Sequence, residues 1–178
     1  MRNWKKETFF ITIAGLFFAL DFFLKRWIVA NIPTKGAFLA EYPYGGIGVF
    51  HNILGVDFSI IHVGNTGAAW GIFSSYNREL LIFRCIVLAL LLGYLIVQRR
   101  STARRIAFLA IFTGALANVV DNFIYGKVID MFYFTFGAFS YPVFNLADSY
   151  LFCGVIALIA VSLFEKRAAP QVRSLNLS

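Results

Sequence analysis

Asp121, Asp130 and Asp148 are three carboxylates in a mostly apolar part of the chain. Two of them have an amide three residues earlier: Asn118 before Asp121, and Asn145 before Asp148. Residues three apart share a helix face. Each amide is therefore placed to donate a hydrogen bond to its carboxylate and fix its orientation. Two facing carboxylates in a poorly solvated site resist losing both protons, so one stays protonated while the other ionises. The ionised member can activate water. The protonated member can donate to a carbonyl oxygen and then to a leaving amine. That is aspartic-peptidase chemistry, which needs no nucleophilic Ser or Cys and no metal. Spacing alone leaves helix capping and ion relay open as alternatives. Asp148 is expected inside its helix rather than at the entrance, which weakens the capping reading. Asp21 and Lys25, four apart, form a helix-face ion pair whose role is structural, because a neutralised pair is cheaper to bury than either charge alone.

The elements that must carry these residues are set by composition. Of 178 residues, 60% are hydrophobic, 18% aromatic and only 14% charged, with mean hydropathy +0.74. A soluble domain carries about 25% charged residues, so this chain lacks a water-facing surface. Its length suits one compact membrane domain, residues 1–178. A helix needs roughly 20 apolar residues to cross a bilayer. Spans are expected at about 8–32, 80–97, 106–123 and 143–164, with Arg84 near the start of the second. Pro142 suits the entrance of the last. The first is read as a retained helix: charge follows its apolar stretch, and no small-x-small cleavage site does.

The net charge of +7 does not indicate nucleic acid, because no polar domain presents a basic face. Lys and Arg gather beside the apolar runs: Arg2, Lys5 and Lys6; Arg99, Arg100, Arg104 and Arg105; Lys166, Arg167 and Arg173. The positive-inside rule places these segments and both termini in the cytoplasm. Residues 33–77 and 125–141 then lie outside. The first outer segment mixes Gly45, Gly46, Gly48, Gly55, Gly64, Gly67, Gly71, Pro33 and Pro43 with Phe50, Val56, Phe58, Ile60, Ile61 and Val63. It reads as short strands and turns against the membrane surface. The fold class is an all-α transmembrane four-helix bundle with a small β-rich extracytoplasmic cradle. This topology gathers Asp121, Asp130 and Asp148 at the outer face and leaves Asp21 deeper. Cys85 and Cys153 read as buried packing thiols, and His51 and His62 as loop or interface residues. The tail from Ala168 to Ser178 is expected to be mobile.

Asn65-Thr-Gly-Ala-Ala-Trp-Gly71, Asn118-Val-Val-Asp121, Gly126-Lys-Val-Ile-Asp130 and Phe144-Asn-Leu-Ala-Asp148 resemble, in order and spacing, the motif series of lipoprotein signal peptidase, the type II signal peptidase family of bacteria. Asp21-Phe-Phe-Leu-Lys25 resembles that family's first-helix motif. The resemblance implies an aspartic endopeptidase of the bacterial inner membrane that cleaves diacylglyceryl-modified prolipoproteins before the lipidated cysteine. It implies Asp130 and Asp148 as the catalytic pair, with Asn65, Gly67, Asn118, Asp121, Asn145, Asp21 and Lys25 supporting the active site. It also implies an outer helix over the membrane surface. No cofactor or metal is expected. The expected partners are the prolipoprotein substrate and membrane lipid, without nucleic acid, and the chain is expected to be a monomer. The sequence departs from the family pattern at Asn122, where Arg is usual. It departs also at Thr113-Gly-Ala-Leu-Ala117, where more glycine is usual, at Met131 in place of Phe, and at Gly64 in place of Arg. Two other readings stand beside this one. The first is a small transporter using Asp21, Asp121 and Asp148 as a relay. The second is a membrane scaffold that has lost activity.

Overall fold

The computed structural model describes residues 4–34, 46–68, 71–97 and 101–175; for residues 166–175 only the backbone path is described. Pro43, Gly45, Trp70, Arg2, Arg99 and Arg100 lie outside the described residues. The elements run α1 (Trp4–Asn31), β1 (Gly46–Ile53), β2 (Val56–Asn65), α2 (Asn77–Val97), α3 (Thr102–Tyr125), β3 (Val128–Phe136), β4 (Phe139–Ser140) and α4 (Leu146–Leu175). Among the described residues four helices are long and apolar enough to cross a membrane. Phe9, Leu16, Phe23, Phe83, Leu90, Ile96, Phe152 and Leu163 stand exposed on them. A helix with apolar residues turned outward suits lipid as its solvent.

The helices do not account for the whole fold. Among the described residues the four strands form one antiparallel sheet in the order β1-β2-β3-β4. All-α is therefore too narrow a class. The cradle is not confined to residues 33–77 either: half of its strands come from the connection between α3 and α4, where no strand is expected from the sequence. The signal there is Val128–Phe136, a β-branched and aromatic run between Gly126 and Gly137. Gly126 closes α3 with a positive φ of 69° and returns its N–H to Asn122 O. A separate outer helix is not seen among the described residues; a single 3-10 turn, Ser74–Tyr76, leads into α2. At the far end α4 continues to Leu175, so its backbone is helical through most of the stretch expected to be a mobile tail.

Helix α3 is the centre of the bundle. Its packed face includes Ala107, Ile111, Gly114, Ala117, Asn118 and Asp121. Against α4 the two backbones approach closely at small residues. A Cβ on Gly114 would collide with Ala147 O, and one on Gly154 would lie 2.8 Å from Ala107 O. The Gly114→Val variant is therefore expected to force α4 outward. Overpacking of this kind costs about 1–3 kcal/mol, which lowers Tm by several degrees in thermal unfolding of the detergent-solubilised protein. An unchanged Tm would show that the helices are free to separate.

Ion pairs close the end of the bundle opposite the sheet. Arg105 holds both oxygens of Glu7, joining α3 to α1. Arg104 reaches Glu165 at 2.5 Å and Ser101 donates to the same carboxylate at 3.0 Å, joining α3 to α4. The start of α1 and the Glu165 turn of α4 therefore meet at one end.

Candidate active site

Asp130 sits in β3, in its fully buried first half. Its strand pairs with β2 so that Val63 lies opposite Asp130 and Asn65 opposite Val128. Asn65, the last residue of β2, donates from Nδ2 to Asp130 Oδ2 at 3.0 Å. The loop after Asn65 is wound tightly enough to hold that aim. Gly67 N donates to Asn65 Oδ1 at 2.9 Å and Ala68 N to Ile72 O at 2.7 Å. A Cβ on Gly67 would lie 2.5 Å from Ile72 O, so only glycine fits.

Asp148 arrives from the other direction. Phe144 is pinned to β3: its carbonyl accepts from Phe132 N at 2.8 Å and its N–H donates to Phe132 O at 3.2 Å. Helix α4 begins two residues later at Leu146. That makes Asn145 its N-cap, and Asp148 falls in the first turn. Asp148 N donates to Asn145 Oδ1 at 2.8 Å, and Asn145 N donates back to Asp148 Oδ2 at 3.2 Å. This is a reciprocal capping arrangement. The expected span starting at 143 places Asp148 too far inside the helix. It is a capping residue on one oxygen, which leaves the other for Asn118 Nδ2 at 2.8 Å.

Asn145 then joins the two carboxylates. Its Nδ2 donates to Asp130 Oδ1 at 2.8 Å while its backbone and Oδ1 hold Asp148. Burial pushes the Asp130 carboxyl up to about 7, and the neighbouring Asp148 carboxylate adds to the rise, against the hydrogen bonds from Asn65 and Asn145.

Behind this pair lies an ionic knot. Lys25 is fully buried. Its ammonium meets Asp21 Oδ2 at 2.7 Å, Asp121 Oδ2 at 2.8 Å and Asn118 Oδ1 at 2.9 Å. Two expectations are corrected here. Asn118 does not orient Asp121, its helix neighbour; it bridges Lys25 and Asp148, because Lys25 claims Asp121 as an ion-pair partner. Asp21 is not left apart at depth either. Its Oδ1 accepts from Ala147 N at 2.9 Å, so α1 caps an orphan donor of α4 beside Asp148. Asp121 also accepts from Ile129 N at 3.2 Å, which fixes β3 one residue before Asp130.

The carboxylate pair opens onto a cavity of about 700 Å³. Asn65, Gly67, Asn118, Asp130 and Asp148 line it, whereas Asp21, Lys25, Asp121 and Asn145 stand behind. Phe134, Phe136, Tyr141, Phe144 and Phe152 make much of its wall apolar. A mostly apolar pocket with a few convergent polar groups suits an amphipathic ligand. Arg84, which in the sequence is only a charge early in the second span, also lines it. Cys153 is an exposed residue of this wall, not a buried thiol, and Cys85 is half-buried. His62 is buried in β2 with Nδ1 2.9 Å from Ile32 O, and His51 pairs with Asp57 at 2.5 Å. Asn122 is buried and donates to Asn118 O at 3.0 Å. Among the described residues no group of three His, Cys, Asp or Glu is arranged to hold a metal ion.

The family model for signal peptidase (SPase) II matches residues 13–164, nearly the whole bundle and sheet. The chain belongs to that family. Curated relatives named lipoprotein signal peptidase agree. One from Chlamydia trachomatis serovar L2b is 38% identical over 139 residues, covering 76% of this chain and 77% of the relative. One from Psychromonas ingrahamii is 34% identical over 163 residues, covering 89% and 86%. Among solved structures, a bacterial membrane enzyme determined at 2.3 Å by the in meso method superposes with a TM-score of 0.71 at 26% identity, over 89% of this chain and 90% of that one. As a signal peptidase II, the protein is an aspartic-type peptidase that cleaves signal peptides from prolipoproteins. Family membership gives no support to the transporter reading. The geometry agrees with that: Lys25 neutralises Asp21 and Asp121 behind the cavity.

Proposed function

We propose that Asp130 and Asp148 are the catalytic pair and that they cut the chain just before a diacylglyceryl-modified cysteine. The observation that carries this reading is the convergence of two carboxylates, one from β3 and one from α4, on the wall of a single apolar cavity. Asn65, Gly67, Asn118 and Asn145 hold the pair in place, and Asp21, Lys25 and Asp121 hold the elements that carry it. Lys5, Arg104 and Arg105 lie toward the end away from the sheet, which supports cytoplasmic termini and an extracytoplasmic sheet. The protein is then a multi-pass protein of the bacterial inner membrane that acts as a monomer among lipids.

The two acids take different roles. Asp148 lies in the first turn of α4 and accepts two N–H groups. Held by these donors at the cavity wall, it is the base that removes a proton from the attacking water. Asp130 holds a proton, donates it to the scissile carbonyl oxygen as the water adds, and takes it back when the carbonyl re-forms, while Asp148 passes the proton taken from water to the departing amine. Because the Asp130 carboxyl sits at about 7, its acid form is present below that pH and lost above it. The cleavage rate is expected to fall about tenfold per pH unit above about 7. Single-turnover cleavage of a diacylglyceryl prolipoprotein from about pH 5 to about pH 9 checks this. A rate unchanged across that window would remove Asp130 from the role of acid.

A further inference from the structure

Arg84 is the cation of the cavity wall that this chemistry does not use. It stands two turns into α2, within a helix apolar enough to span the membrane. A guanidinium is costly there and marks a functional position. Part of its fork has a partner: Nη2 donates to Gly67 O at 2.8 Å. Nη1 is buried with no hydrogen-bond partner. The neighbouring amides are already committed, Asn65 to Asp130 and Asn118 to Asp148. A desolvated N–H left unmatched is expensive, and a small turn of the guanidinium toward the cavity that Arg84 lines would let a ligand oxygen relieve it. An anionic ligand is disfavoured, because Asp130 and Asp148 line the same space. A neutral carbonyl oxygen is the acceptor that fits.

We propose that Arg84 is a substrate-binding residue whose Nη1 donates to a carbonyl oxygen of the lipidated peptide lying in the cavity. This rests on the cavity being the substrate site of the peptidase. Two parts of that substrate carry such an oxygen: the peptide backbone and the acyl esters of the lipid.

The test separates them. Binding of a diacylglyceryl-modified peptide and of its dialkyl ether analogue, which lacks the ester carbonyls, is measured by fluorescence anisotropy in nanodiscs. The proteins are the Asp148→Asn variant and the same variant carrying Arg84→Ala or Arg84→Lys. Loss of one charge-assisted hydrogen bond should raise Kd for the diacyl peptide about tenfold or more in Arg84→Ala, with partial recovery in Arg84→Lys. If the esters are the acceptor, the tenfold difference disappears for the ether analogue; if the peptide backbone is, it persists. Equal Kd values with and without Arg84 would overturn the proposal. So would an unchanged Kd with a displaced pH–rate profile in the otherwise wild-type Arg84→Ala enzyme, which would limit Arg84 to holding Gly67 and Asn65. Cleavage by the wild-type protein is recorded beside these measurements. Its absence would count against the peptidase reading, whereas the Kd comparison judges Arg84 without turnover.

Discussion

Asp130→Asn and Asp148→Asn are each expected to slow prolipoprotein cleavage about a thousandfold or more, with the double variant no slower than either single one. An acid or base acting in the transition state is worth about 10²–10⁴ in rate. Groups that act as one unit lose nearly everything when either is removed, so the two losses should not multiply. The fold should survive, because Asn is close to isosteric and keeps one acceptor oxygen. In the Asp148→Asn variant that oxygen can still take the N–H of Asn145 or the amide of Asn118, the two donors Asp148 uses now. The measurement is the single-turnover rate on a lipidated substrate, with Tm of each variant as a control for folding. Substantial cleavage by either single variant, at normal Tm, would place the chemistry elsewhere. Normal folding with no turnover by the wild type would favour the inactive scaffold instead.

Lys25→Met is expected to give the largest loss of stability. The ammonium donates to Asn118 Oδ1 and lies at ion-pair distance from two carboxylates, Asp21 and Asp121. Methionine fills similar space but leaves Asp21 and Asp121 buried without a countercharge. Removing one partner of a buried ion pair costs about 3–5 kcal/mol, because the remaining charge is stranded. For a chain of this size that lowers Tm by about 10 °C or more. The damage would also reach the site, since Asp21 caps α4 through Ala147 N and Asp121 anchors Ile129 N. Adding Asp21→Asn and Asp121→Asn to Lys25→Met should restore much of the lost Tm, because neutral amides no longer need the cation. A Tm equal to that of wild type in Lys25→Met alone would mean that the knot is not a structural centre.

What the sequence discloses and what it hides have physical reasons. The spans are legible because a bilayer imposes long apolar runs, and the carboxylates stand out because lipid makes them costly. Strand β3 is hidden: nine residues between two helices can loop or pair, and only β2, some seventy positions earlier in the chain, decides for pairing. The partner of Asn118 is hidden too, because shared helix faces permit a contact without requiring it. Asp121 has a stronger claimant in Lys25, from another helix. Asp148 looks too deep for a cap when α4 is started at 143. The pairing of Phe144 with Phe132 holds that segment on β3 and delays the helix to Leu146. Arg84 offers no spacing signal at all. Its partner is a backbone carbonyl, Gly67 O, presented by a loop whose shape depends on Asn65 and Ile72.

The central claim is that this pair cuts a lipidated chain at one bond. It is tested most directly by incubating the purified wild-type protein in nanodiscs with matched lipidated and unlipidated prolipoprotein and reading both products by mass spectrometry. The expected result is a single cut in the lipidated substrate, leaving a product that begins at the modified cysteine, while the unlipidated substrate stays intact. Cleavage at another bond, equal cleavage of both substrates, or two intact substrates would contradict it.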